Sequence, residues 1–280
     1  MTTTTAPART ASRSRSTTTW PTLALAVSVV AASVYGLLAE APYRSLPETT
    51  VLGARAQDAC SIVVAVLLVT LTTRPRIAET AQLLRLGLLA YLVYSYLIYV
   101  TGVPMNRMFL VYVVVVALSG GALLAGLAAL LDRPVASTAS RGLRHGTGWF
   151  LVGTTATFAA LWLSVLVPVA LGAGPPQPEG VGGTPYPVFW LDLAITLPAI
   201  AAVGVVLLRD RAVGPALAVV ALVKIVTLFT ALWAGPAFAA ATGEDVHLGP
   251  DAAPSVVLLV ASCWLLRRWL RSFTEPAQPA

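Results

Sequence analysis

The segment YLVYSYLIYVTGVPMNRMFLVY, residues 91–112, decides how this chain folds. Two apolar runs flank the polar turn 102–107, and five tyrosines, Tyr91, Tyr94, Tyr96, Tyr99 and Tyr112, stand among Leu, Ile and Val. At about 100° per residue, Tyr91, Tyr94 and Tyr99 share a helix face about 140° wide, with Tyr96 further round. A phenol in hydrocarbon needs a partner for its hydroxyl, so this face is expected to point at other helices rather than at lipid tails. Tyr99 and Tyr112 are also placed to act as anchors near a membrane surface. The turn ends the first helix. Asn106 is suited to capping the next, expected from about Met108, by accepting a bond from an unpaired backbone donor.

The rest of the chain extends this pattern. Of 280 residues, 57% are hydrophobic and only 11% charged, with a mean hydropathy of +0.81. This lies outside the range of soluble globular proteins and predicts an all-α, polytopic transmembrane bundle. Apolar runs at 20–38, 57–73, 83–103, 108–131, 149–172, 188–208, 212–234 and 253–270 give eight candidate spans in one transmembrane domain, 20–272. The second and the last are the shortest or end in charge. Residues 1–19, almost all Thr, Ser and Arg, form a basic tail expected to be disordered, and 273–280 form a short C-terminal tail. Ala39-Glu40-Ala41 fits the small-x-small pattern of a signal-peptide cleavage site, but the run before it is long enough to span a bilayer.

Arginine placement tests the span count. Fourteen arginines fall in one set of alternating loops and ends, and three, Arg44, Arg55 and Arg107, in the other. By the positive-inside rule both termini are then cytoplasmic. The net charge of +6 is accounted for by these short loops, so nucleic-acid binding is not expected. Trp20, Trp149 and Trp269 at the inner boundary, and Trp190 and Trp233 at the outer, are expected as interfacial anchors. Ala117, Gly121, Ala125 and Ala129 recur every four residues, a ladder that would let a neighbouring helix approach. Pro168 and Pro198 are expected to kink or locally open their helices. Cys60 and Cys263 lie far apart in apolar runs and read as small core residues.

Chemistry is expected where an ionisable group lies at membrane depth, because such placement is costly. Lys224, the only lysine, lies about 18 Å from the cytoplasmic end of the seventh run, slightly beyond the midplane of a core about 30 Å thick. Asp192 lies about 6 Å below the outer boundary of the sixth run. The tight connection Arg209-Asp210-Arg211 makes these two runs antiparallel neighbours, so an Asp192–Lys224 pair is expected, either as a structural clasp or as a proton or substrate site. Asp58 reads first as a carboxylate at a helix start, favoured by the helix dipole. Asp58 and Asp192 nevertheless occupy like positions in two halves of four runs, as a parallel repeat about the membrane normal would place them.

Other signals are weaker. His247, near Glu244, Asp245 and Asp251, reads as solvated surface, and His145 falls in an inner loop. No histidine lies inside a run, which excludes bis-histidine haem ligation, and there is no HExxH, Walker loop or nucleophile elbow. No cofactor and no metal are expected. The expected partners are the lipid bilayer and a small-molecule or lipid ligand.

Gln57-Asp58, the tyrosine run through Tyr99, Gly102, Asn106 with Phe109-Leu110 and Tyr112, and Thr184-Pro185 before Leu191-Asp192-Leu193 together resemble a family of uncharacterised prokaryotic multi-span membrane proteins. The resemblance spans about Val34 to Trp233 and implies that the first run is a retained span. It brings no activity with it. The leading expectation is a small transporter or carrier with a polar intramembrane site built from Asp58, Tyr94, Tyr99, Asn106, Asp192 and Lys224. A membrane-embedded enzyme acting on a lipid or isoprenoid, or an accessory subunit without chemistry, are the alternatives.

Overall fold

The computed structural model describes residues 9–44, 46, 48–73, 79–173, 180–181, 184–185, 187–243, 246 and 252–273. Eight helical segments run in order: α1 (Arg9–Leu38), α2 (Glu48–Thr73), α3 (Glu79–Gly102), α4 (Phe109–Asp132), α5 (Arg141–Ala170), α6 (Pro187–Leu208), α7 (Gly214–Thr242) and α8 (Ala252–Arg271). A two-residue antiparallel pairing of Gly180–Val181 with Thr184–Pro185 precedes α6. Among the described residues, seven helices, α1 to α7, are long and apolar enough to cross a membrane. The protein is therefore a helical membrane protein. α8, which ends in Arg267, Arg268 and Arg271, is not among the seven.

Several helices begin earlier than hydropathy alone indicates, because polar residues in the first turns still satisfy their backbone in a helix. The tail expected to be disordered to residue 19 is helical from Arg9. α2 starts at Glu48, which places Asp58 inside the helix and not at its dipole end. His145 likewise lies on α5, not in a loop. His247 and residues 274–280 lie outside the described residues.

The centre of the bundle is α3 against α7. In the most apolar window of each, 61% is buried, compared with 17% in α4 and 11% in α5. α3 also packs on α2, α4 and the start of α6, and α7 on α2, α6 and α8. The two helices cross at Gly87, where any Cβ would overlap Val223 and press on the Val220 carbonyl. α5 and α6 meet in the same way, a Cβ on Gly204 lying 2.9 Å from the Gly148 carbonyl oxygen. The ladder of Ala117, Gly121, Ala125 and Ala129 does not serve this purpose: all four are exposed, and α4 packs through Tyr112, Val115, Ser119 and Leu130. Spacing identifies a narrow face but not which face is covered.

Because α3 is enclosed, its tyrosines cannot divide into an inner and an outer set. Tyr91, Tyr94, Tyr96 and Tyr99 are all buried, including Tyr96, expected to lie off the shared face, and Tyr112 is buried with them. Trp20, Trp149 and Trp190 are exposed on the surfaces of their helices. Trp269 is not an anchor: it is fully buried, its indole donating to Thr147 Oγ1 at 3.0 Å. Cys263 is exposed rather than in the core, and Cys60 is half-buried.

α6 opens as expected near Pro198. Residues Asp192–Thr196 form a π-turn, and the Leu197 amide donates to the Asp192 carbonyl, five residues back. Proline has no amide to donate, and the wider turn lets the helix pass this gap. The π-turn begins at Asp192, a residue of the second polar cluster.

Candidate functional site

The first polar cluster is built around Asp58, on the face of α2 turned to α1 and α3. It is 1% exposed. The connection between α1 and α2 folds inward, so that Tyr43, itself buried, donates its hydroxyl to Asp58 Oδ2 at 2.6 Å. From α3 the Tyr99 hydroxyl lies 3.1 Å from Asp58 Oδ1 and 3.0 Å from the Ala54 carbonyl oxygen. Beside it the Tyr96 hydroxyl lies 3.2 Å from Ser33 Oγ and 3.3 Å from the Val29 carbonyl, tying α3 to α1. The rings of Tyr96, Tyr99 and Tyr112 pack on one another with centroids 5.3 to 6.0 Å apart. Burial and the adjacent Asp58 carboxylate push the Tyr43 phenol well above its ordinary range. It therefore holds its proton and donates it to Asp58.

This closeness depends on Gly36 of α1. A Cβ there would overlap Asp58 Oδ2 and come within 2.6 Å of the Tyr43 hydroxyl. Gly36→Ala is expected to lower stability by about 1–3 kcal/mol, as overpacking does, and to separate Tyr43 from Asp58. Thermal unfolding in detergent checks this, and an unchanged midpoint would mean that the α1–α2 connection shifts freely.

The second cluster lies on α3, α5, α6 and α7. Lys224 is 6% exposed and Asp192 7% exposed. They do not form the expected ion pair: no Lys224–Asp192 contact within 4.0 Å occurs among the described residues. The Lys224 ammonium lies over the Tyr94 ring, 4.1 Å from its centroid, a geometry that suits attraction between a cation and the ring face. Asp192 accepts from the Trp162 indole at 2.9 Å, and Trp162 packs edge-on against Phe189. Asp192 remains within electrostatic reach of Lys224. The helices are neighbours as the short loop required, but each charge met an aromatic group first.

Asn106 stands at the edge of the first cluster, beside the Tyr112 hydroxyl. Its Oδ1 accepts from the Met108 amide at 2.8 Å and its Nδ2 donates to the Pro104 carbonyl, shaping the turn just before α4. This is a local turn rather than the expected cap: Met108 is the N-cap residue of α4, and no side chain caps that helix. Of the six expected site residues, Asp58 and Tyr99 come together, Lys224 and Tyr94 come together, and Asp192 stands near the second pair.

Sequence reasoning missed Tyr43, Trp162, Ser33 and Gly36. Tyr43 lies in a polar connection that hydropathy reads as solvent-exposed, and only its aromatic ring in a short loop signals burial. A single tryptophan in the middle of an apolar run, as Trp162 is, carries no signal that separates a polar partner from core. Two grooves on the surface, of about 600 Å³ between α1 and α2 and about 420 Å³ along α8, are apolar in lining and include none of Asp58, Asp192 and Lys224.

Comparison with family models, with curated proteins and with solved structures finds no match to this chain. The functional argument therefore rests on the geometry of the two clusters.

Proposed function

We propose that this protein is a multi-pass protein of the cytoplasmic membrane, with eight spans and both termini inside, that couples movement of a small solute to protonation of Asp58. The arginine distribution supports the orientation, α8 being the last span. One observation carries the coupling. Tyr99 has two acceptors within reach, Asp58 Oδ1 and the Ala54 carbonyl, but a phenol has one proton to give. When Asp58 is charged, Tyr99 and Tyr43 both donate to it. When Asp58 is protonated, its own hydroxyl donates to Tyr99, which turns its proton to Ala54. Both states are fully hydrogen-bonded on the same heavy-atom positions.

A buried carboxylate that served only as structure would need just one of these arrangements, commonly with a cation beside it. Among the described residues, no Arg, Lys or His nitrogen lies within 4.0 Å of Asp58. Protonation therefore changes the local charge without a compensating ion, as a proton-coupled site requires. Lys224 over Tyr94, with Asp192 nearby, supplies a second polar region, where a solute of complementary charge has a partner. An enzyme acting on a lipid would need its carboxylates at one place. Asp58 and Asp192 share no partner and are held by different aromatic groups.

Proteoliposomes with a trapped pH indicator test the reading. An imposed gradient is expected to drive proton movement above that of protein-free vesicles, further increased by the transported solute. No excess movement in either direction and with any solute class would sink it.

A further inference from the structure

Below Asp58, on the side of the α2–α3 turn, lie three hydroxyls that make no hydrogen bond to protein: Ser61 Oγ, Ser95 Oγ and the Tyr91 hydroxyl, each on a residue 0% exposed. Their spacing is regular. Ser61 is one turn inward of Asp58 on α2; Ser95 and Tyr91 are one and two turns inward of Tyr99 on α3, at intervals of four residues, so they share a stripe. The Tyr91 hydroxyl stands beside those of Ser61 and Ser95 and within electrostatic reach of Asp58. Gln57 clamps the two helices at this level by donating to the Ser95 carbonyl at 3.2 Å.

A serine in a membrane helix ordinarily satisfies itself on the carbonyl four residues back. In this chain Thr72, Thr101, Ser119 and Thr227 do so, at 2.5 to 2.8 Å. Ser61 and Ser95 do not, although the same acceptors stand in their own helices. Three buried hydroxyls that interact with one another but make no hydrogen bond of good geometry are under-satisfied, and a small polar molecule joining them would complete their bonding. Each is both donor and acceptor, so the set can hold water and pass a proton along it.

We propose that Ser61, Ser95 and Tyr91 hold ordered water and form a relay that delivers protons to Asp58 from the inner half of the bundle. A proton arriving on the water is passed on as each hydroxyl accepts one on a lone pair and releases its own, ending as the O–H of the Asp58 acid. No net charge remains on the three hydroxyls. The relay rests on the reading of Asp58 as the coupling group, but its test does not depend on transport.

Full-length protein in lipid is followed by time-resolved infrared spectroscopy after an acid step. The Asp58 carboxylic C=O stretch is the readout, assigned by its loss in Asp58→Asn. Tyr91→Phe, which removes one oxygen and keeps the ring, and Ser61→Ala with Ser95→Ala are each expected to slow the rise of this band at least tenfold. They should also abolish a water O–H band that shifts in H₂¹⁸O. Unchanged rates, or no isotope-sensitive band in the wild type, would overturn the relay. Absent proton flux with slowed Asp58 protonation in the variants would end the transport reading and keep the relay. Normal flux with unchanged rates would do the reverse. Should the double serine variant fail to insert, Tyr91→Phe alone decides.

Discussion

Asp58→Asn proteoliposomes are expected to show no proton movement beyond that of protein-free vesicles, with the protein inserted and folded. The expectation follows from what an amide can imitate. Its Oδ1 can accept from Tyr43, now at 2.6 Å from the carboxylate, while its Nδ2 donates to the Tyr99 oxygen and Tyr99 donates to Ala54. That is the hydrogen-bond pattern of the protonated acid. The variant should therefore cost less than the about 1–3 kcal/mol of an unsatisfied buried group, while being locked in one of the two states the cycle needs. Asp58→Leu removes the acceptor altogether and leaves Tyr43 without one, so it should be clearly less stable than Asp58→Asn. A conducting Asn variant would mean that the carboxylate is structural. A stability order reversed between Asn and Leu would mean that the hydrogen bonds to Tyr43 and Tyr99 contribute little.

Lys224→Met is expected to separate stability from function in the opposite way. The side chain is buried with no acid within 4.0 Å among the described residues, and its one close partner is the Tyr94 ring at 4.1 Å. A cation over a desolvated ring gains about 2 kcal/mol, whereas taking an ion out of water costs several. Methionine fills similar space without that cost. The variant should match the wild type in thermal stability, or exceed it by about 1–4 kcal/mol as replacements of buried charges have done, while solute-dependent flux falls to background. If the charge is instead a clasp acting through Asp192, Lys224→Met will unfold at lower temperature and Asp192→Asn will restore part of the loss. Measured together, unfolding midpoints of the two single variants and the double variant decide between a site and a clasp.

The sequence by itself determined the class of this protein and the ionisable members of its polar clusters. Apolar runs of span length, with polar groups confined to their ends and a few interior positions, leave a helical membrane bundle as the only way to satisfy the backbone in hydrocarbon. The same scarcity made Asp58, Asp192 and Lys224 stand out, since at membrane depth every ionisable group needs a reason. The turn 102–107 was also legible, because it depends on a few consecutive residues.

Partnership was decided only by the tertiary structure. The tight loop 209–211 said that Asp192 and Lys224 lie on neighbouring helices, yet the rotation of each helix about its own axis set Lys224 over Tyr94 and Asp192 against Trp162. The small-residue ladder of α4 faces outward for the same reason, and close approach occurs instead at Gly87 and between Gly148 and Gly204. Asp58 looked like a helix-start carboxylate until α2 was found to begin at Glu48 and the α1–α2 connection to turn inward and bring Tyr43 onto it. Packing among lipid-compatible surfaces is settled by shape, which hydropathy does not encode, because lipid tails and neighbouring helices are equally apolar. A bundle can therefore be read from its sequence, while the contacts of its buried charges depend on which faces interlock.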